Sequence, residues 1–308
     1  MGKRRSTAAS RRKTPRISDP EREAAIALGT KRARGVIRAR KALAPEEART
    51  GVNGLLVAEG DSWFDYPLYD VLQELDRRFN YRIESVSHKG DTVEEMAYGD
   101  GQLARLAAML EGLGLRDDRP RAILISGGGN DIAGDEFATL LNHKRSGLPA
   151  LNDEVVNGIV RGRLSVAIMS LLGAVTELSQ HYLGRVVPIL VHGYGHAVAD
   201  GRGYLGGISF LPGPWLEPGF RRKGYQDMAE RVHVVADLID RFNGMLRAVA
   251  GAPALKHVSY VDVRSVLSNE LAGRRYRQSW ENELHPTRAG FVRVAERFHK
   301  TISRLPMP

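Results

Sequence analysis

Hydrophobic residues in this chain follow two spacings from residue 53 onward. Short continuous apolar runs are typical of buried strands, and apolar residues three or four positions apart are typical of amphipathic helices. The runs predict strands at 55–59, 81–86, 121–126, 186–191 and 257–263, and the spaced stretches predict helices at 66–79, 102–113, 164–178, 228–246 and 288–302. Such alternation predicts an α/β fold in which helices cover both faces of a parallel five-stranded sheet. Pro188 in the fourth strand indicates an edge strand or a bulge.

Two connections between these elements are longer than is usual in a compact domain. The first insertion lies near 135–160, and the second lies near 193–224. The second is rich in glycine, proline and aromatic residues, among them Tyr194, Tyr204, Phe210, Trp215 and Phe220. Both begin where predicted strands end, and parallel sheets bind ligands at the carboxyl ends of their strands. We therefore expect a pocket wall or lid here. For each of these aromatic residues, the alternative is that its ring packs beneath an irregular loop.

The positive charge of the chain is concentrated in its first 50 residues. These contain 15 Lys and Arg and 5 Asp and Glu, a net charge of +10, whereas the whole chain carries +9, so residues 51–308 carry −1. We expect a basic tail at 1–50, partly disordered and partly helical, before an enzyme-like domain at 51–308. The tail is either a solvated appendage or a contact for nucleic acid or an anionic membrane. Since it contains no aromatic residue, such binding would be independent of base sequence.

The chain contains no cysteine, which excludes disulfides and thiolate metal sites. The longest continuous apolar runs are shorter than the roughly 20 residues of a membrane-spanning helix, and the apolar run at 24–28 is too short for a signal-peptide core. A cytoplasmic location is the default expectation, although cargo of a signal-independent secretion system would share these features. The oligomeric state stays open.

Four short motifs lie at the ends of predicted strands or before the last helix. Gly-Asp-Ser ends the first strand at Ser62, and Gly90 lies in the loop after the second. Gly-Gly-Gly-Asn follows the third strand and ends at Asn130, and Leu-His-Pro-Thr contains His285. In residue type and order, these positions over 53–303 resemble the SGNH hydrolase superfamily, the GDSL-type esterases and lipases.

The chemistry of these residues suits acyl transfer. A serine at a strand end can meet free backbone N–H groups, and an imidazole that titrates near neutrality can take its proton. The resemblance implies a three-layer α/β/α, flavodoxin-like fold with Ser62 as nucleophile and His285 as general base. It also implies an oxyanion hole made by the N–H groups of Ser62 and Gly90 and the amide of Asn130.

By the same resemblance, the substrate is a small-molecule, lipid or carbohydrate ester, and no metal or organic cofactor is required. The resemblance does not separate hydrolases from acyltransferases. Trp63, His192 and Tyr194 are predicted to line the substrate pocket. A metal site at His192 and His196 with Asp200 is the less favoured alternative, because two intervening glycines argue against a helix that would align both rings.

One position departs from the family pattern. The family usually has an aspartate three residues before the base histidine, and this sequence has Asn282. Three interpretations stay open: Asn282 orients His285, a backbone carbonyl near Trp280 does so, or Glu281 or Glu283 does so, although both glutamates are expected to be solvated. The departure also motivates a second hypothesis, in which a catalytically impaired SGNH scaffold acts as a binding protein anchored by its basic tail.

Overall fold

The structure, a computed structural model, describes residues 53–204 and 212–308, so the predicted basic tail and Phe210 lie outside the described residues. Its sheet has five strands: β1 (Leu55–Gly60), β2 (Arg82–Ser85), β3 (Pro120–Ser126), β4 (Ile189–His192) and β5 (Val258–Val261). All neighbouring pairs are parallel, in the order β2-β1-β3-β4-β5. This is the flavodoxin-like order, and the predicted fold class is confirmed.

Eight α-helices are described: α1 (Val71–Phe79), α2 (Val93–Tyr98), α3 (Asp100–Leu115), α4 (Asp153–Asn157), α5 (Ser165–Leu183), α6 (Glu217–Arg222), α7 (Met228–Ala250) and α8 (Arg288–Ile302). They flank the sheet in packed groups, with α1 against α8, and with α2 and α3 against α5. Every residue of β1 and β3 is buried, which explains why both read as continuous apolar runs in the sequence.

Two local predictions are wrong. The predicted helix at 66–79 begins only at Val71, because the Asp70 side chain accepts a hydrogen bond from the Gln73 N–H at 2.8 Å and caps the helix there. Pro188 does not mark an edge strand or a bulge. It immediately precedes β4, which lies between β3 and β5, and its carbonyl accepts from the Ile123 N–H at 2.9 Å.

One helical segment, Asp153–Leu183, is long and apolar enough to cross a membrane by length and composition, with a mean hydropathy of 1.5 in its most apolar window. Counting only continuous apolar runs missed it, because small and polar residues interrupt the apolar ones. Within this segment, α5 buries a set of apolar side chains in the core, namely Ala167, Ile168, Leu171, Leu172 and Val175. Of its most apolar window, 39% is buried inside the domain.

The strand order fixes where a site can form. It reverses between β1 and β3, and in sheets of this type ligands bind in the crevice at that point, outside the carboxyl ends of the strands. Ser62 follows β1 by two residues, and Asn130 follows β3 by four. The two predicted motifs therefore meet at the place where the topology leaves an opening.

Candidate active site

Ser62 lies in a tight turn directly after β1. A Cβ atom on Gly60 would lie 2.7 Å from the Cβ of Ser126 in the neighbouring strand, so only glycine allows this close approach. The chain then turns, and the Phe64 N–H donates to the Asp61 carbonyl at 3.0 Å. The turn places Ser62, which is partly exposed, at the carboxyl end of the sheet.

Asp61 holds this turn to the loops that follow the neighbouring strands, although its side chain is only 2% exposed. Its Oδ1 accepts from the Trp63 N–H at 3.0 Å and from the Ser126 hydroxyl at 2.7 Å, and its Oδ2 accepts from the Tyr194 hydroxyl. The Tyr194 hydroxyl also accepts from the Gly129 N–H at 3.1 Å. One buried carboxylate therefore ties together the loops after β1, β3 and β4. The sequence analysis missed this role, and its only signal was the place of Asp61 beside the serine.

Ser62 and His285, 223 positions apart in the chain, are in hydrogen-bond contact, with Oγ 2.8 Å from Nε2. The Nδ1 atom of His285 lies 3.0 Å from the Asn282 Oδ1, which also accepts from the N–H groups of Leu284 and His285 at 2.9 Å each. The Asn282 Nδ2 donates to the Tyr66 hydroxyl at 3.1 Å. These partners fix the amide orientation. Because the Asn282 amide oxygen can only accept, the Nδ1 atom of His285 carries a proton. The Nε2 atom of His285 is left to accept a proton from Ser62.

The other candidates for orienting His285 are engaged elsewhere. The Trp280 carbonyl accepts from the Arg202 guanidinium at 3.2 Å, and Glu281 accepts from the Tyr69 hydroxyl. The expectation that both glutamates are solvated is wrong for Glu283, which is completely buried. Its carboxylate accepts hydrogen bonds from backbone N–H groups of the second long connection. Burial raises the pKa of Glu283 to about 7.

Aromatic rings pack against His285. Tyr66 stacks on His285 with ring centroids 4.3 Å apart and an angle of 22° between planes, and Trp215 meets it edge-on at 5.6 Å. Burial lowers the pKa of His285 to about 3, so the imidazole is neutral at physiological pH and available as a base. When it takes a proton, the Tyr66 ring face offers the imidazolium a cation–π contact.

Hydrogen bonds hold the three predicted oxyanion donors on adjacent loops. The Gly90 loop is tied to the end of β1 by the His88 N–H, which donates at 2.9 Å, and to the loop after β3 by the Asn130 Nδ2, which donates to the Asp91 carbonyl at 2.9 Å. Gly90 has a φ of +92°, which favours glycine. Asn130 keeps a second amide hydrogen. Among the described residues, the N–H groups of Ser62 and Gly90 have no acceptor, so all three can donate to a ligand.

The chain has a flavodoxin-like α/β/α fold, and the four motif residues lie at the carboxyl edge of its parallel sheet. No family model matches it, and no curated protein matches it.

Several solved structures are similar to it. A lipase from a goat rumen metagenome is 13% identical with a TM-score of 0.49, over 80% of this chain and 96% of that chain. An acetyl-xylooligosaccharide esterase from Geobacillus is 14% identical with a TM-score of 0.46, over 84% of this chain and 100% of that chain. A GDSL-like lipase from Bacteroides thetaiotaomicron is 12% identical with a TM-score of 0.42, over 88% and 97%.

A small apolar cavity opens beside Ser62. About 50 Å³ of it is open to the centres of water-sized spheres. Trp63 and Tyr194, both predicted as pocket residues, line it, together with Phe137 from the first long connection and Leu216 from the second. Most of the remaining wall is aliphatic: Ile132, Ala133, Ala197, Val235, Leu238, Ile239 and Leu284.

His192 does not line this cavity, so that prediction is wrong. Its side chain is 1% exposed and packs beneath the site, between Trp63 and Phe298 of α8, with ring centroids 5.3 Å from each. As the last residue of β4, it points into the layer between sheet and helix instead of toward the carboxyl edge. His196, its partner in the less favoured metal interpretation, bonds to Asp240 at 2.9 Å instead.

Proposed function

We propose that this protein hydrolyses carboxylic esters through an acyl-enzyme on Ser62. The observation that carries the proposal is the series of contacts from the Ser62 hydroxyl to His285 and from His285 to Asn282. These contacts supply a nucleophile, a base in the productive tautomer and a group that orients the base.

In the proposed reaction, the Ser62 Oγ attacks the ester carbonyl carbon while the Nε2 of His285 takes the hydroxyl proton. The carbonyl oxygen becomes an oxyanion that accepts from the N–H groups of Ser62 and Gly90 and from the Asn130 amide. The imidazolium then gives its proton to the departing alkoxide, and the C–O bond breaks to leave an acyl-enzyme. Water repeats the sequence with His285 as base, which releases the carboxylic acid and restores Ser62.

The cavity suggests the size of the acyl group. The space beside Ser62 is small, about 50 Å³ for the centres of water-sized spheres. Its apolar wall suits a hydrocarbon chain. We therefore propose short-chain esters, from acetyl to butyryl, as the preferred substrates.

The second hypothesis, a binding protein on an impaired scaffold, rested on Asn282. The bond from Asn282 to His285 removes much of its motivation, because the base is oriented without a carboxylate. A fluorophosphonate probe separates the two hypotheses. We expect stoichiometric labelling at Ser62 in the parent and none in Ser62→Ala, with p-nitrophenyl acetate hydrolysis lost in the same variant. A folded parent that takes no label and hydrolyses no ester would sink the enzymatic proposal.

A further inference from the structure

Glu283 is a buried carboxylate that the proposed reaction does not use, and it lies between Asn282 and the base in the chain. Its Oε1 accepts from the Gly201 N–H at 2.9 Å. Its Oε2 accepts from the N–H groups of Trp215 at 2.7 Å and Leu216 at 2.6 Å, and the Glu217 N–H lies 3.1 Å from Oε1. One side chain therefore satisfies four backbone donors from the second long connection.

Three of those four donors belong to the part of the connection that forms the pocket wall, which we define as residues 215–217. The Leu216 side chain lines the cavity beside Ser62, and the Trp215 ring packs against His285. Glu217 begins α6, whose first turn has no side-chain cap of its own. Glu283 supplies from another loop the acceptor that these free N–H groups need.

The loop that carries His285, residues 281–285, is also bonded to the residue that follows Ser62. The Trp63 indole N–H donates to the Leu284 carbonyl at 3.0 Å, and the Glu283 N–H donates to the Arg202 carbonyl at 3.2 Å. The backbone that follows Glu283 is thus tied to the residue after Ser62, and the Glu283 N–H is tied to the second long connection. A side chain mounted on that backbone can therefore set the distance between the pocket wall and the nucleophile.

We propose that Glu283 is a positioning residue that sets the acyl-chain selectivity of the Ser62 site by holding the pocket wall, an inference that rests on the proposed ester hydrolysis. A carboxylate is needed because it offers acceptor sites on both oxygens and has no hydrogen to place against the four donors. An amide in the same place would accept on one atom only and would turn an NH₂ group toward backbone N–H groups.

The test compares Glu283→Gln with the matched control Glu281→Gln, a glutamate of the same loop that bonds to Tyr69 instead. The measured quantity is the ratio of kcat/KM for p-nitrophenyl acetate to that for p-nitrophenyl octanoate. We expect a high ratio in the parent and in the control, and a ratio lower by about tenfold in Glu283→Gln, because a displaced Leu216 admits longer chains. Hydrogen exchange at 215–217 should accelerate in Glu283→Gln alone.

Leu216→Ala provides an independent route to the same phenotype, since it shortens the wall without touching its anchor. It should lower the selectivity ratio in the parent, and combining it with Glu283→Gln should add little, because both changes remove the same barrier. Full additivity would mean that Glu283 acts on some other part of the molecule.

The outcomes separate the two proposals. A parent that hydrolyses neither ester refutes the proposed function, whereas an active parent whose selectivity and exchange are unchanged by Glu283→Gln refutes the role of Glu283. If Glu283→Gln does not fold, Glu283→Asp keeps the charge on a shorter arm and should give an intermediate ratio. If neither variant folds, Glu283 supports the whole domain and not the wall, which also overturns the inference.

Discussion

Asn282 and Glu283 are adjacent in the chain and both completely buried, yet they face different parts of the site. The Asn282 side chain turns toward His285 and holds the imidazole with a neutral oxygen. The Glu283 side chain turns away from it and holds the pocket wall with a charge. In the family pattern that this sequence resembles, an aspartate would occupy the first of these two positions.

The hydrogen-bond donors around each side chain explain why a carboxylate suits one position and a neutral amide suits the other. Four backbone N–H groups converge on Glu283, and such a cluster of donors stabilises a buried carboxylate. Asn282 meets two backbone N–H groups and one imidazole N–H, which a single amide oxygen satisfies, and its own NH₂ group finds Tyr66. A neutral amide therefore suits the donors that surround Asn282. Its cost is that no charge stabilises the imidazolium when His285 takes a proton.

The largest expected effect comes from removing the side chain of Asn282, the neutral residue of the pair. Asn282→Ala deletes the oxygen that holds the His285 tautomer, and the loss of orientation in comparable triads lowers turnover by up to about 10⁴-fold. We expect kcat for p-nitrophenyl acetate to fall by about 10³- to 10⁴-fold, with KM little changed. A nearly silent Asn282→Ala would mean that a backbone carbonyl orients the base.

The next largest effect concerns the Asn130 amide, which is proposed to donate to the oxyanion, whereas the Asn282 amide accepts from His285. Asn130→Ala removes one oxyanion donor, and such deletions cost about 10²- to 10³-fold in turnover. Unlike Asn282→Ala, it leaves His285 and its pKa untouched, so the shape of the pH–rate profile should stay that of the parent. A loss confined to KM would make Asn130 a substrate-binding residue.

Periodicity was sufficient to predict the sheet, and motif order predicted which residues meet. The runs at β1 and β3 are fully buried strands, whereas β2 is partly exposed, and Ser62 is in hydrogen-bond contact with His285. Helix α1 was misplaced at its start, because the cap at Asp70 outweighed the apolar spacing that extended back to Tyr66.

Side-chain partners across long sequence separations could not be read from the chain. Nothing in the spacing of Tyr66 and His285 indicates that their rings stack. From sequence alone Glu283 looks solvated, because only the fold brings backbone N–H groups of the second long connection to its carboxylate. His192 was misassigned for a related reason. At the last residue of a strand, one step in register decides whether a side chain faces the site or the helix layer.

Restoring the charge that the family pattern has should move the pH profile. In the parent, burial holds the pKa of His285 at about 3, so acid has little effect on the base near neutrality. Asn282→Asp places a carboxylate beside Nδ1, which favours the protonated imidazole and raises the pKa of His285. We expect an acidic limb of kcat/KM to move to higher pH, with equal or faster turnover above it. An unchanged profile with a large loss of rate would show that the pocket tolerates only a neutral amide.

The smallest expected effect concerns the protonation of Glu283, the charged residue of the pair. Burial raises the pKa of Glu283 from about 4.5 to about 7, so the carboxylate takes a proton as the pH falls through 7. A protonated carboxyl cannot accept from all four N–H groups, and the wall should loosen. The charged groups that pack nearby are Arg202, Asp200 and Glu281, and the pair formed by Glu217 and Arg231 at 3.7 Å.

The acetate-to-octanoate selectivity ratio isolates this titration, because the protonation of His285 affects both esters equally and cancels. We expect the ratio in the parent to fall by about two- to tenfold between pH 8 and pH 6, and to stay flat in Glu283→Gln, which has no carboxyl to titrate. Unfolding would not explain the fall. A carboxyl with a raised pKa in the folded state contributes stability at low pH that is lost as the pH rises through 7, so protonating Glu283 favours the folded protein. A flat ratio in the parent, or the same slope in both proteins, would show that the carboxylate is not what holds the wall.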